Sequence, residues 1–426
     1  MRRAAARMKP SLLPFLAWPR SDGATWRADL IAGATVAVVA IPQALAYAQL
    51  AGVPPHLGLY AAFVPTVIAA LWGASAQLST GPVALTALLT AASLSAFAQP
   101  GSEAWVALAV VLALGAGLMQ AVAGVARLGR VVERLPASLM LGFVNAAALV
   151  ILLSQLPTML GVRVPAGAGV ADALRALLAG LPSANLATAG FGIVSLLALL
   201  GLRRAWPRLP GALVVSVVAI GVSVAIGYES RGTVVGDLPP GLPMPAWPTL
   251  DLGVVVSLLP SMLLIALISF IEVTSSARVI ATRTGVAWNV NQELVGQGLA
   301  KLASGVFGAF PVSGSFSRSA LNLSAGARTA WASIVSAALV GVALMFAAGS
   351  LHHLPTAVLA ALIVSAVGGL LTPGELVRAW QGSRAEAAIA WTTLIATLLS
   401  APRIHYGLLA GLAVVGLRAV VNRLRG

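Results

Sequence analysis

Two apolar stretches of the sequence are interrupted by small and helix-breaking residues. The first interruption, 79–84, reads STGPVA, and the second, 311–319, reads PVSGSFSRS. Each follows a polar side chain within an earlier apolar stretch, because Gln43 and Glu272 stand about forty positions before their respective interruptions. Non-helical backbone at membrane depth occurs only where it is buried in protein or lines a cavity. The interruptions therefore predict two half-helices that begin inside a membrane and face a common cavity.

The start of a half-helix offers unbonded N–H groups and a partial positive charge to such a cavity. Two starts that face each other form a site for an anion. Pro82, near the first turn of its helix, forfeits only an N–H group that would be unbonded in any case. Ordinary kinks within packed helices are the alternative interpretation. The residues expected at the two helix starts are Gly81, Pro82, Gly314 and Ser315.

Charged residues within apolar stretches indicate the charge of the transported solute and a residue that could couple its transport to an ion gradient. Arg318 lies one turn into the second half-helix and adds a full positive charge, which favours an anion over a cation or a neutral solute. Glu272 lies well inside an apolar stretch, and acidic groups in that position serve as proton relays in transporters. Pairing of Arg318 with Glu272 or Glu293 is the structural alternative, and Glu293 and Lys301 are read as structural or gating residues.

The composition excludes a water-soluble domain. Hydrophobic residues make up 59% of the 426 residues and charged residues 9%, where a soluble domain carries about 25% charged residues. No cysteine is present, so disulfides, thiolate metal sites and cysteine nucleophiles are excluded. The net charge of +14 lies in short clusters between apolar stretches, which encodes membrane topology rather than nucleic-acid binding. The histidines are too scattered to predict a metal cluster: His56, His352, His353 and His405.

Apolar stretches of about 20 residues predict an all-α polytopic membrane protein with fourteen spans. With the N-terminus inside, 20 Lys and Arg residues fall on the inner side and 4 on the outer side. This bias predicts both termini in the cytoplasm, in a multi-pass protein of the cell's inner or plasma membrane. The predicted spans are 28–49, 57–73, 78–97, 104–126, 136–160, 184–202, 210–228, 254–276, 289–307, 314–325, 330–349, 354–371, 385–400 and 404–422.

The two interruptions open the third and tenth spans, and Gln43 and Glu272 lie in the first and eighth. Both pairs are offset by seven spans. An odd offset gives the two halves opposite orientations, which is the inverted repeat of many secondary transporters. Residues 1–27 are basic and partly apolar, and we expect them to lie on the cytoplasmic membrane surface. Because the sequence stops soon after the last span, no soluble C-terminal domain is expected.

Longer motifs resemble the SulP sulfate permeases, also called solute carrier family 26. The resemblance runs through the whole membrane portion, in the expected order and spacing, and does not depend on one motif. Besides Glu272, the stretches that resemble the family are DLIAG at 29–33, IPQALAYA at 41–48, GVPP at 52–55, GLY at 58–60, TGPVA at 80–84, NQELVGQG at 291–298 and PVSGSFSRSALN at 311–322.

The resemblance implies a UraA-like fold: fourteen spans in a seven-plus-seven inverted repeat, with two half-helices meeting at mid-membrane. The core domain would comprise 28–128 and 252–350, and the gate domain 129–251 and 351–426. The resemblance also implies an elevator movement of the core against the gate, and a homodimer. The substrate-binding residues it implies are Gln43, Tyr47, Val83, Ala84, Phe316, Ser317 and Arg318, with Glu272 nearby as the coupling residue.

Two features depart from the family pattern. Members usually carry a cytoplasmic STAS domain after the last span, and none is expected here. Lys301 stands where a neutral polar residue is expected. Sodium-coupled bicarbonate members are expected to carry an aspartate on the eighth span, so Glu272 favours protons over sodium.

The sequence thus predicts a proton-coupled secondary transporter of inorganic anions, above all sulfate, that resides in the lipid bilayer and needs no cofactor. Bicarbonate, C4-dicarboxylates and chloride are alternative substrates, and an uncoupled anion channel is an alternative mechanism. A nucleobase permease would have the same architecture but would need an acidic residue near Ser317. An intramembrane serine protease with Ser315 or Ser317 as nucleophile would need a base within hydrogen-bond distance.

Overall fold

The computed structural model describes residues 11–18, 21–129, 136–165, 168–207, 209–239, 241–245 and 251–425. The predicted surface segment 1–27 therefore lies partly outside the described residues. The helices are α1 Gly23–Ala51, α2 Pro55–Trp72, α3 Ala84–Leu94, α4 Glu103–Val125, α5 Ala137–Leu160, α6 Val170–Gly180, α7 Leu186–Ala205, α8 Gly211–Ile226, α9 Leu252–Thr284, α10 Val290–Val306, α11 Phe316–Ser324, α12 Trp331–Phe346, α13 Ala348–Leu351, α14 Thr356–Gly368, α15 Pro373–Gly382, α16 Arg384–Ser400 and α17 His405–Arg425. Short 3₁₀ helices cover Pro14–Ala17, Leu181–Ser183 and Tyr228–Ser230.

Helix ends coincide with residues that favour them. The side chains of Asp22, Ser102 and Asn185 accept hydrogen bonds from first-turn N–H groups of α1, α4 and α7. Each such cap satisfies a donor that has no partner within the helix and contributes about 1 kcal/mol. Gly52 ends α1 and Gly161 ends α5, both in the left-handed conformation that glycine adopts most readily. Local sequence therefore sets where the long helices start and stop.

Every predicted span overlaps a helix. By length and composition, seven of the described helices could cross a membrane, and four shorter helices are also apolar. The count of fourteen spans stays a prediction. The helices α6 and α15 fall in segments that the sequence analysis left as connections.

The described helices pack into two groups. In the first group α10 lies against α4 and α2, α12 lies against α1 and α2, and α9 lies against α4. In the second, α5, α7, α14, α16 and α17 pack together. Glycines allow the closest approaches, because a Cβ on Gly298 of α10 would lie 2.4 Å from the backbone nitrogen of Ala121 in α4. A Cβ on Gly142 of α5 would lie 2.1 Å from the carbonyl oxygen of Ala390 in α16.

A two-stranded antiparallel sheet joins the two interruptions. Strand β1 is Thr80–Gly81 and strand β2 is Ser313–Gly314, with Thr80 opposite Gly314 and Gly81 opposite Ser313. The backbone nitrogen of Ser315 donates to the carbonyl oxygen of Ser79 at 2.8 Å and extends the ladder. All four strand residues are buried. Strand pairing thus satisfies the polar backbone groups that non-helical segments would otherwise bury unpaired.

The sheet moves both helix starts away from their predicted positions. The third predicted span begins at 78 and the tenth at 314, but α3 begins at Ala84 and α11 at Phe316. Pro82 precedes the capping residue Val83 and therefore lies outside α3. The placement of Pro82 near a first helical turn is corrected accordingly. Its carbonyl oxygen is the part of Pro82 that makes a contact at the site.

Candidate functional site

A cavity of about 600 Å³ lies beside the starts of α3 and α11. Helices α1, α3, α9 and α11 form one wall, and α7, α8 and α14 form the other. Six of the seven predicted substrate-binding residues line it, and the seventh, Arg318, lies behind the wall. The predicted residues in the lining are Gln43, Tyr47, Val83, Ala84, Phe316 and Ser317, together with Glu272 and Ser315.

The cavity extends to one end of the helices. Arg203, Pro207, Leu209 and Gly211 are among its lining residues, and they lie at the end of α7 and the beginning of α8. The sequence analysis places this connection on the cytoplasmic side. The cavity therefore extends to the predicted cytoplasmic end of these helices.

Arg318 connects the two half-helices. Only 3% of the residue is exposed, although it carries a charge. Its Nη1 donates to the carbonyl oxygen of Pro82 at 2.9 Å and to Oε1 of Gln43 at 3.4 Å. Its buried Nη2 has no hydrogen-bond partner among the described residues. A buried guanidinium with a free donor is costly unless a further acceptor or a negative charge lies nearby.

The two helix starts differ in their capping. Val83 precedes α3 and provides no side-chain hydrogen bond, which leaves the first-turn N–H groups without a cap. At α11, the Ser315 hydroxyl accepts from the backbone nitrogen of Arg318 at 3.3 Å. The Ser315 and Ser317 hydroxyl oxygens are 3.3 Å apart. Both starts direct the positive end of a helix dipole toward the cavity.

Glu272 lies where two cavities meet. It lines the 600 Å³ cavity and also a second cavity of about 550 Å³ between α5, α9 and α11. Its buried Oε2 has no hydrogen-bond partner in the described part of the chain. Its charge interacts with those of Arg318 and Lys301. Within the described residues, no ion pair of 4.0 Å or less joins Arg318 to Glu272 or to Glu293, so the paired alternative from the sequence analysis is absent there.

Lys301 is fully buried and lies against α4. Its Nζ donates to Oε1 of Gln120 on α4 at 2.7 Å, and Ser269 on α9 donates to the same oxygen at 3.4 Å. Sequence analysis singled out Lys301 but missed Gln120. An amide within the long apolar stretch of α4 was the available signal, because a polar side chain there needs a partner.

A second polar network holds strand β1 in place, and sequence analysis did not predict its hydrogen bonds. Glu293 Oε2 accepts from the backbone nitrogens of Ala74 and Ser75 at 2.8 and 3.0 Å. Gln297 Nε2 donates to Glu293 Oε1 at 3.0 Å and to the Thr80 hydroxyl at 2.8 Å. Glu293 thereby holds the turn after α2 and, through Gln297, the strand that precedes the first half-helix.

Among the described residues, no histidine lines the cavity. A serine nucleophile at Ser315 or Ser317 therefore has no histidine beside it there. One expectation about the histidines is corrected. Sequence analysis treated all four as scattered, but His352 and His353 lie beside Glu229, and the ligand atoms of the three lie within 4.8 Å of one another.

The sequence pattern of the sulfate permease family matches residues 26–393. The chain belongs to this family. It is 36% identical over 390 residues to a "probable sulfate transporter" of Mycobacterium tuberculosis, covering 91% of this chain and 69% of that protein. It is 31% identical over 410 residues to the chloroplastic sulfate transporter 4.1 of Arabidopsis thaliana, covering 94% of this chain and 59% of that protein. This family member thus spans roughly 59–69% of the length of these relatives.

Solved structures with the same fold extend the comparison. The murine solute carrier 26 family member A9, an anion transporter in the inward-facing state, matches with a TM-score of 0.88 at 22% identity over 96% of this chain and 71% of that one. The transmembrane domain of a cyanobacterial bicarbonate transporter matches with a TM-score of 0.80 at 25% identity over 92% of this chain and 98% of that one. This family member is therefore a polytopic membrane protein with the transmembrane fold of these solved structures.

Proposed function

We propose that this chain is a secondary active transporter of sulfate, driven by protons. The observation that supports this most directly is the bridge made by Arg318 from the start of α11 to Pro82 at the start of α3, beside the cavity. A dianion placed there would meet two helix starts and one buried positive charge. These groups would replace the hydration that the anion gives up on entry.

Sulfate is the preferred substrate because the relatives described above are named as sulfate transporters. The cavity offers hydroxyl, amide and backbone donors of the kind that oxyanions accept: Tyr47, Gln43, Ser317 and the uncapped N–H groups of α3. Bicarbonate is the second candidate, since the chain covers 98% of the transmembrane domain of a bicarbonate transporter. C4-dicarboxylates would use the same donors.

Proton coupling is assigned to Glu272. The carboxyl group lines the cavity, and its Oε2 has no hydrogen-bond partner among the described residues. In the ionised form it would repel an anion at the helix starts, and protonation would remove that repulsion. Binding of proton and anion would then be mutually favourable, as symport requires.

The movement we propose follows the two packing groups. The core, 28–128 and 252–350, would contain both half-helices, and the gate, 129–251 and 351–426, would contain the facing wall of α7, α8 and α14. The two would form a seven-plus-seven inverted repeat. In an elevator movement the core would carry the site past the gate, from the predicted cytoplasmic side to the outer side.

The test is uptake of radiolabelled sulfate into proteoliposomes with and without an inward proton gradient. Gradient-driven uptake in the parent is expected, and Glu272→Gln should lose the response to the gradient. Unlabelled bicarbonate, fumarate and chloride are the competitors. Uptake of labelled bicarbonate but not of sulfate would identify bicarbonate as the substrate and leave the proposed mechanism unchanged. Sulfate flux that neither saturates nor responds to the gradient would make the protein an uncoupled channel.

A further inference from the structure

Two loops on the predicted outer face are joined by backbone hydrogen bonds. The backbone nitrogen of Val235 donates to the carbonyl oxygen of Leu354 at 2.9 Å, and that of Gly236 donates to the carbonyl oxygen of His352 at 3.1 Å. The backbone nitrogen of Thr356 donates to the carbonyl oxygen of Thr233 at 3.0 Å. These bonds fix the position of His352 relative to the loop that follows α8.

Glu229 is held in place from the other side. It lies in the 3₁₀ helix Tyr228–Ser230, directly after Tyr228, which is fully buried. The Tyr228 hydroxyl lies 2.8 Å from the Thr188 hydroxyl, and its ring packs on Phe191 with centroids 4.6 Å apart. The backbone that carries Glu229 is therefore anchored to α7.

Three potential metal ligands converge at this junction. His352 Nε2 lies 3.1 Å from Oε1 of Glu229, and His353 Nδ1 lies 3.6 Å from Oε2 of the same carboxylate. The other ring nitrogen of His352, Nδ1, lies 2.8 Å from Oδ1 of Asp237. We propose that Glu229, His352 and His353 form a binding site for a divalent transition metal ion, with Zn²⁺ as its best fit.

The donor set accounts for the choice of metal. Two imidazoles and a carboxylate suit Zn²⁺ and its neighbours, whereas Mg²⁺ requires oxygen ligands. Zinc binds imidazole nitrogen at about 2.0–2.1 Å, so a tetrahedral ion separates its ligand atoms by roughly 3.4 Å. The present ligand atoms lie within 4.8 Å of one another, and exposed side chains can close the remaining distance by small rotations. Three protein ligands leave one coordination position for water.

Asp237 completes the arrangement as an orienting residue. Metal-binding imidazoles commonly donate their second N–H group to a carboxylate, which fixes the tautomer and increases the basicity of the metal-binding nitrogen. The contact between Asp237 Oδ1 and His352 Nδ1 has this form and leaves Nε2 directed at Glu229. An ordinary surface ion pair with one histidine would need neither the second carboxylate nor the second histidine.

The position of the site links two parts of the chain. Glu229 and Asp237 lie between α8 and α9, and His352 and His353 lie between α13 and α14. These two connections enter and leave the segment α9–α13, which contains Glu272 and Arg318. A metal ion would cross-link them on the predicted outer face. The metal site itself does not depend on which anion is transported.

The experiment is isothermal titration of the purified full chain in detergent with ZnCl₂, and with MgCl₂ as the comparison ion. We expect one Zn²⁺ per chain and no heat of binding with Mg²⁺. His352→Ala and Glu229→Gln should abolish zinc binding, and Asp237→Asn should weaken it by about 10- to 100-fold. His405→Ala, which removes a histidine on the same predicted face, should leave the zinc isotherm unchanged.

Melting temperatures measured without zinc separate binding from folding. Variants of the cluster should melt like the parent without zinc and should lack the increase in melting temperature that zinc gives the parent. No zinc binding by the parent would overturn the proposal. So would binding that survives both His352→Ala and Glu229→Gln, or equal binding of Mg²⁺.

Discussion

The two half-helices share a backbone plan and differ in chemistry. The helices α3 and α11 each follow a two-residue strand, and the two strands pair with each other. The helix α3 is apolar, and no side chain caps its start. The helix α11 is capped by Ser315 and carries Arg318, and it places that charge against the carbonyl oxygen of Pro82 in the other half.

This difference indicates that the two half-helices would have different roles at the site. The first half-helix would offer bare N–H groups to an anion, and the second would supply the charge and hold the geometry. A single guanidinium can serve both starts because it lies between them. The following predictions test these different roles, from the largest expected effect to the smallest.

Removing the charge should have the largest effect. Arg318→Gln deletes the donor to Pro82, a hydrogen bond from a charged group that contributes about 1.5–3 kcal/mol, and also the longer and weaker bond to Gln43. We therefore expect sulfate uptake into proteoliposomes to fall by about 100-fold or more, because about 1.4 kcal/mol corresponds to a factor of ten. Arg203→Gln, which removes a charge from the facing wall of the cavity, is the matched control and should change uptake only slightly. Equal losses in both variants would mean that general cavity charge, not the bridge, matters.

A methyl group on the first strand should have an intermediate effect. A Cβ at residue 81 would lie 3.1 Å from Nη2 of Arg318 and 3.6 Å from the Thr66 hydroxyl. Gly81→Ala should displace the guanidinium by a few tenths of an ångström and strain the backbone, which has a φ of +154° at this residue. Overpacking costs about 1–3 kcal/mol and about 1.4 kcal/mol corresponds to a factor of ten, so we expect the KM for sulfate to rise by roughly 10-fold. Gly190→Ala has open space around its Cβ and serves as the control. An unchanged KM would show that Arg318 acts only as a distant charge.

Removing the amide partner should have a smaller effect. Gln43→Leu takes away the weaker of the two acceptors of Arg318 Nη1, at 3.4 Å, and one polar group of the lining. The donor is charged, but the bond is long and Nη1 keeps its shorter bond to Pro82, so a contribution of about 1 kcal/mol is expected and the affinity for sulfate should fall by about 5-fold. Competition by unlabelled sulfate in the uptake assay measures this affinity. A loss as large as that of Arg318→Gln would assign direct anion binding to Gln43.

Removing the cap of the second half-helix should have the smallest effect. Ser315→Ala costs about 1 kcal/mol of helix stability, which should appear as a lower melting temperature with uptake reduced by a few-fold at most. Ser315→Thr retains the capping hydroxyl and should restore both values. If Ser315→Ala abolished uptake while leaving the melting temperature unchanged, the hydroxyl would be a ligand of the anion rather than a cap.

Sequence analysis identified the residues of the site more completely than the contacts between them. The interruptions, Gln43 and Glu272 follow from local patterns, because helix breakers and intramembrane polar residues stand out against apolar sequence. The place of Tyr47 in the lining was implied only by the resemblance to the family, since a tyrosine in an apolar stretch is not distinctive. The pairing of Thr80 with Gly314 does not, since the two strands lie more than two hundred residues apart and each is only two residues long. Predicted helix starts were too early for that reason.

Other contacts were missed because their partners are unremarkable in the sequence. Gln120 becomes important only through Lys301, which lies 181 positions away. His352 meets Glu229 across 123 positions, and the positions of both depend on loop hydrogen bonds. Hydropathy records which residues are buried, but tertiary packing decides which polar residues meet.

The strand pair also constrains how the protein is made. Pro82 leaves the ribosome long before Arg318, which follows 236 positions later. Until then the first interruption has neither its strand partner nor its positive charge, and the newly inserted first half contains no complete binding site. Neither half of the chain can therefore form the strand pair, or the hydrogen bond from Arg318 to Pro82, without the other.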